Sequence, residues 1–125
     1  MKLRLHGNEI RVRLNRNEVA EFAEAGLLED AVDFGEGSTL TYVLEASPNA
    51  NDPKASFRGG VVRVELPARD AQQWVLTERV GISGEQTLGP DKRLSILVEK
   101  DFQCLHDSDE SDVDAFPNPL TQPTN

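Results

Sequence analysis

The side chains best suited to chemistry lie close together near the C-terminal end of the sequence. Thiolate, imidazole and carboxylate groups are the ligands with which proteins bind divalent metals. One short stretch carries all three kinds, at Cys104, His106, Asp107, Asp109, Asp112 and Asp114. This stretch raises one candidate function, a metal-binding protein or small metal-dependent enzyme that would use Cys104, His106, Asp107 and Asp109.

The spacing of these ligands matches no established metal motif. Zinc sites are commonly built from paired CxxC or HExxH units, and the sequence lacks the partners for such units. An EF-hand over residues 107–118 fails because Asp112 stands where glycine is needed and Asn118 where a bidentate glutamate is needed. The alternative interpretation is that Phe102 and Leu105 anchor the stretch to a core while the acidic run is solvated.

Cys104 is a weak candidate for a catalytic nucleophile. A reactive cysteine needs a neighbouring base and surroundings that stabilise the thiolate. His106, two positions further on, would point to the opposite face of an extended segment. The sequence also contains no GxSxG motif and no phosphate-binding glycine-rich loop before a helix. We therefore expect a non-enzymatic protein that needs no cofactor.

A second group of candidate residues lies on a predicted hairpin near the N-terminal end. Lys2 and Arg4 alternate with leucines, and Arg11 and Arg13 alternate with Ile10, Val12 and Leu14. Successive side chains of a strand point to opposite faces of a sheet. The four basic residues are therefore expected to share the outward face. There they would bind a small anionic ligand or an acidic surface of an unidentified protein.

Further binding candidates follow the last predicted strand. They are Lys100, Asp101 and Cys104, together with Phe116 and Pro117 in the motif Phe-Pro-Asn-Pro. Prolines restrict the backbone before binding, so that Phe116 can dock in a pocket at a small entropic cost. That pocket would belong either to this domain or to a partner.

The elements that must position these residues occur twice in the sequence. Residues 11–22 read RVRLNRNEVAEF, and residues 63–74, which lie 52 positions later, read RVELPARDAQQW. Each copy changes from the period-two pattern of a strand to the spacing of an amphipathic helix. Asn15 and Glu18 form a predicted capping box at the start of the first helix, and Gly26 is the predicted C-cap at its end.

This repetition predicts the fold class. Residues 1–46 and residues 55–100 would each form a β-β-α-β-β repeat, and the second repeat would include a strand over residues 79–87. Neither repeat can bury its apolar face alone, so the two would pack about a pseudo-two-fold axis. We expect a strand-dominated α+β domain, an antiparallel barrel or sandwich with one short helix closing each side. The domain would span residues 1–105, and residues 106–125 would form an acidic tail that contains prolines.

The charge distribution argues against nucleic acid as a partner. The net charge is -9, and residues 101–125 contain six acidic residues and neither lysine nor arginine. Proteins that bind nucleic acid rely on lysine and arginine to neutralise phosphates. DNA binding stays open only because strands followed by capped helices also occur in swapped-hairpin bacterial transcription regulators.

The sequence indicates a cytoplasmic protein with no membrane partner. It has no apolar run long enough to cross a bilayer, and its first residues alternate charge with leucine where a signal peptide would be continuously apolar. Its single cysteine, Cys104, allows no internal disulfide. The sequence leaves the oligomeric state open.

Several short motifs resemble those of a family of short bacterial proteins of uncharacterised function. The matching segments cover nearly the whole chain, at residues 2–14, 18–19, 33–35, 55–57, 99–105 and 114–119. The most specific are EKDFQCL at residues 99–105 and DAFPNP at residues 114–119. The resemblance implies a bacterial, cytosolic, single-domain protein, and it implies no activity, substrate or catalytic residue.

Overall fold

The computed structural model describes residues 1–102, which form eight strands and two helices. The strands are β1 (Lys2–His6), β2 (Glu9–Leu14), β3 (Leu27–Gly35), β4 (Ser38–Ser47), β5 (Lys54–Arg58), β6 (Val61–Pro67), β7 (Gly81–Gly89) and β8 (Lys92–Lys100). The helices are α1 (Arg16–Ala25) and α2 (Ala68–Leu76). The strand-dominated α+β class is therefore confirmed.

The strands of this region form two four-stranded sheets. Sheet A has the order β1-β2-β8-β7, and sheet B has the order β3-β4-β6-β5. The four hairpins are antiparallel, whereas β2 pairs with β8, and β4 with β6, in parallel. Each sheet is therefore mixed and open at its edges. The expected antiparallel barrel is wrong, and the packing of two sheets agrees with the sandwich alternative.

The parallel pairs arise because each sheet combines hairpins from both halves of the chain. A tight turn such as Gly59-Gly60, in which both glycines have positive φ, makes its two flanking strands antiparallel. The turn does not determine which hairpin lies alongside. That choice depends on burying the inner faces of all four hairpins together, and it is made only when distant parts of the chain pack.

Both sheets and both helices contribute to one core. Within it, Phe22 of α1 and Trp74 of α2 meet edge to face, with ring centroids 6.1 Å apart. The indole Nε1 of Trp74 donates a hydrogen bond of 2.9 Å to the carbonyl oxygen of Val80. The two helices thus pack against each other, so the expectation that they close separate sides is wrong.

The predicted caps of α1 are present. The side chain of Asn15 accepts a hydrogen bond of 2.9 Å from the Glu18 backbone, and Glu18 accepts one of 2.9 Å from the Asn15 backbone. Gly26 ends the helix with a φ of 71°, and its amide donates to the Phe22 carbonyl at 2.7 Å. Helix α2, by contrast, begins at Ala68, and its N-cap residue Pro67 makes no side-chain capping bond.

Removing the Asn15 cap should destabilise the domain by about 1 kcal/mol. The replacement Asn15→Ala leaves one amide of the first turn without its intramolecular partner, and urea unfolding followed by circular dichroism measures the loss. Asn17→Ala is the matched control, because Asn17 is exposed in the same turn. Equal stability of the two variants would show that the capping box does not stabilise α1.

Candidate functional site

The four basic residues of the N-terminal hairpin form two cross-strand pairs in sheet A. Lys2 lies opposite Arg13, and Arg4 lies opposite Arg11. Their neighbours Ile10, Val12 and Leu14 are buried in the core, so the basic side chains lie on the outward face. We call Lys2, Arg4, Arg11 and Arg13 the basic face. The structure brings these four predicted residues together.

Two carboxylates at the end of β8 neutralise one half of the basic face. Glu99 lies 2.7 Å from Nε of Arg13, and Asp101 lies 2.9 Å from Nζ of Lys2. The hydrogen bond to Glu99 is the main cause that raises the pKa of Arg13 above its usual value; the charges of Glu99 and Asp101 add to the rise and partial burial opposes it. Lys2 and Arg13 are therefore engaged within the domain.

The other half of the basic face is less satisfied. Arg4 is exposed and forms no ion pair with any residue in the described part of the chain. Nε of Arg11 lies 3.6 Å from Glu99, and this buried nitrogen has no hydrogen-bond partner among residues 1–102. A guanidinium presents several N–H donors and binds carboxylate or phosphate groups in a fork-like geometry. Arg4 and Arg11 together can therefore hold an anion.

The outward face of sheet B has no such pair. Arg63 occupies the position in β6 that corresponds to Arg11 in β2, but Ser56 rather than a basic residue lies opposite it. Arg63 is also bound to Glu45 through a hydrogen-bonded ion pair. Glu45 is itself paired in register with Glu65. Within residues 1–102, the Arg4–Arg11 pair therefore has no counterpart on the outward face of sheet B.

Two other predicted binding residues have structural contacts. Nζ of Lys100 donates to the carbonyl oxygen of Thr77 at 2.8 Å, beside the C-terminal end of α2. Lys100 therefore points away from the basic face. The amide of Asp101 donates to the Leu14 carbonyl at 2.8 Å, and this bond holds the end of β8 against β2. Asp101 contacts the basic face through its pairing with Lys2.

The remaining predicted residues lie outside the described region. They are Cys104, His106, Asp107 and Asp109, proposed as metal ligands, and Phe116 and Pro117, proposed as binding residues. Within residues 1–102, no group of three or more histidine, cysteine, aspartate or glutamate side chains is arranged to hold a metal ion. The metal-binding alternative therefore stays a prediction.

Glu99 lies in a segment that the sequence marked as a candidate functional surface, but its contact with the basic face was not predicted. It contacts both Arg11 and Arg13, which are 88 and 86 positions away along the chain. The contact depends on the parallel register that places Arg13 beside Glu99. No local sequence pattern predicts this pairing, although the sequence does place an acidic residue at the end of a predicted strand.

Comparison with known proteins identifies one relationship. The model of a family of unknown function, DUF7009, matches residues 1–120. No curated protein and no solved structure matches the chain. Neither helix in residues 1–102 has the length and apolar character needed to span a membrane.

Proposed function

The chain belongs to the DUF7009 family of unknown function, and we propose that it is a non-enzymatic binding domain of a bacterial cytoplasmic protein. Its basic face binds an anionic group, carried either by a small ligand or by an acidic segment of a partner protein. The observation that supports this function is the Arg4–Arg11 pair, in which Arg4 is exposed and Nε of Arg11 lacks a hydrogen-bond partner within residues 1–102. A guanidinium carries further N–H donors besides Nε, so two neighbouring guanidinium groups favour an incoming acceptor.

The arrangement of charges favours a compact anion over a long polyanion. Lys2 and Arg13 pair closely with Asp101 and Glu99, whereas Arg11 lies 3.6 Å from Glu99 and Arg4 forms no ion pair within residues 1–102, so Arg4 and Arg11 are the residues best placed to receive a ligand. A duplex would need a wider basic surface, and the net charge of -9 repels it at longer range. Glu99 contacts both Arg11 and Arg13 and so holds their guanidinium groups in place before a ligand arrives.

Replacing both arginines of the pair should abolish most of this binding. We expect the variant with Arg4→Gln and Arg11→Gln to bind a hexaglutamate peptide about tenfold or more weakly than the unmodified protein at low ionic strength, because two charge-assisted hydrogen-bonding groups are lost. Isothermal titration calorimetry measures the dissociation constant. Inorganic phosphate, titrated separately, tests whether a small anion is sufficient.

Arg63→Gln is a control for the loss of an arginine outside the basic face. It removes one arginine from the equivalent strand of sheet B, where Glu45 already neutralises it. This control should bind hexaglutamate like the unmodified protein, and binding should weaken as salt is added. If hexaglutamate and phosphate both fail to bind at low salt, or if Arg63→Gln weakens binding as much as the double variant, the proposed anion site is wrong.

We also propose that the domain arose by duplication of a β-β-α-β-β unit, with repeats at about residues 1–46 and 55–100 and a tail beyond residue 105. The strand order of sheet B follows from that of sheet A when the two halves are exchanged. The registers support the same exchange, since Val12 pairs with Val98 and Val64 pairs with Leu44. A half-turn rotation that superposes the halves should bring Phe22 onto Trp74.

A further inference from the structure

A groove of about 800 Å³ lies beside α1, at the point where β8 ends. Its apolar lining comes from Leu14, from Val19, Ala20 and Ala23 of α1, and from Val75 of α2. The two alanines leave space over the helix that larger side chains would fill. Polar residues, among them Asn15 and Arg16, complete the lining, and a groove of this size accepts an aromatic side chain together with a few flanking polar residues.

The chain itself leads into this groove. Asp101 and Phe102 both line it, and the hydrogen bond from the Asp101 amide to Leu14 fixes the direction in which the chain continues. The ring of Phe102 stays largely exposed and does not fill the space. The residues that follow Phe102 therefore begin at the groove, at a far higher local concentration than any separate partner would have.

The sequence beyond Phe102 contains one segment suited to the groove. Phe116 is the only aromatic residue after Phe102, and Pro117 and Pro119 restrict the backbone around it. Phe116 follows Phe102 by 14 positions, a length that can span up to about 50 Å when extended, so reach imposes no limit. The acidic residues Asp112 and Asp114, just before Phe116, complement Arg16 at the edge of the groove.

The family comparison supports a role for this segment within the domain. The family model matches residues 1–120 and so includes the motif at residues 116–119. From these observations we propose that residues 116–119 of the same chain dock in the groove, with the ring of Phe116 against Ala20, Ala23 and Val75. The docked segment covers α1 and makes the end of the chain an integral part of the fold.

Fluorine NMR of the full chain labelled with 4-fluorophenylalanine tests the docking. The protein has five phenylalanines, so the spectrum is simple, and Phe116→Ala assigns the relevant signal. We expect the chemical shift of the Phe116 signal to differ from that of a solvent-exposed 4-fluorophenylalanine. Ala20→Glu, which places a charged side chain in the groove, should move it to the position of a solvent-exposed residue. A Phe116 signal at the exposed position in the unmodified protein would overturn the proposal.

Gln72→Glu is the matched control for the groove variant. Gln72 occupies the position of α2 that corresponds to Ala20 in α1, and it lines a smaller, neighbouring groove that shares Ala23 and Val75 with the first groove but not Ala20. This control should leave the Phe116 signal in place, and an equal response to both variants would overturn the proposed site. Dilution separates docking within one chain from docking between two copies. If dilution moves the chemical shift of Phe116 towards the solvent-exposed value, the docked segment comes from a second copy and the proposal is wrong.

Hydrogen exchange gives a second test of the docking. This test does not require that the domain still folds with the Ala20→Glu substitution. Phe116→Ala, which lies outside α1, should increase the exchange rates of amides at residues 19–23 about tenfold, because the apolar cover of that helix is lost. Phe34→Ala removes a largely exposed ring from β3 and should leave those rates unchanged. Unchanged exchange in Phe116→Ala would show that residues 116–119 do not cover α1.

Discussion

Replacing Trp74 by alanine is expected to lower the free energy of unfolding by about 3–5 kcal/mol, the largest loss from any single truncation in this domain. Trp74 is 0% exposed, and its ring packs edge to face on Phe22. The substitution leaves a large cavity between the two helices and removes the donor for the Val80 carbonyl. Because Trp74 is the only tryptophan, circular dichroism rather than fluorescence should follow urea unfolding.

Leu76→Ala is the control for truncation within the same helix. Leu76 is 71% exposed, so this variant should lose no more than about 0.5 kcal/mol. Trp74→Phe should fall between the two, since it keeps most of the apolar volume and loses only the hydrogen bond to Val80 and part of the ring. Similar losses in Trp74→Ala and Leu76→Ala would contradict the packing of the helices described above.

The elements of this fold were predictable where the signals are local. Asn15, Glu18 and Gly26 are caps that act within one or two turns of helix, and all three have the predicted geometry. The predicted start of β7 at residue 79 was wrong by two positions. Arg79 instead belongs to a turn, in which its amide donates to Oγ1 of Thr77 and its Nε donates to the Gly81 carbonyl. These bonds hold Arg79 outside the strand, so β7 begins at Gly81, and a periodicity pattern cannot show this side-chain bonding.

The pairing of distant strands was not predictable in the same way. The alternation of Arg11 and Arg13 with apolar residues placed them correctly on an outward face, because that property depends only on strand period. Their contact with Glu99 depends on the parallel register of β2 and β8, which forms when hairpins from the two halves pack. The sequence thus identified the cations of the candidate site and missed the anion that holds them in place.

The antiparallel register of β7 and β8, which pairs Gly81 with Glu99, leads to the second large effect, at the first position of β7. A Cβ atom added there would lie 2.7 Å from the backbone oxygen of Val98 and 3.1 Å from Cβ of Glu99. Backbone of a paired inner strand cannot move aside cheaply, so Gly81→Ala should cost about 2–3 kcal/mol of unfolding free energy. Urea unfolding of the full chain measures this loss.

Gly89→Ala is the matched control, because Gly89 ends the same strand and a Cβ there would meet nothing within 4 Å. It should be neutral within about 0.5 kcal/mol. Gly81→Ala also pushes on Glu99, which contacts Arg11 and Arg13, so this variant should weaken binding of hexaglutamate while Gly89→Ala does not. A loss of stability with unchanged anion binding would show that Glu99 does not position the basic face. Equal stability of the two variants would instead contradict the close approach of β7 to β8.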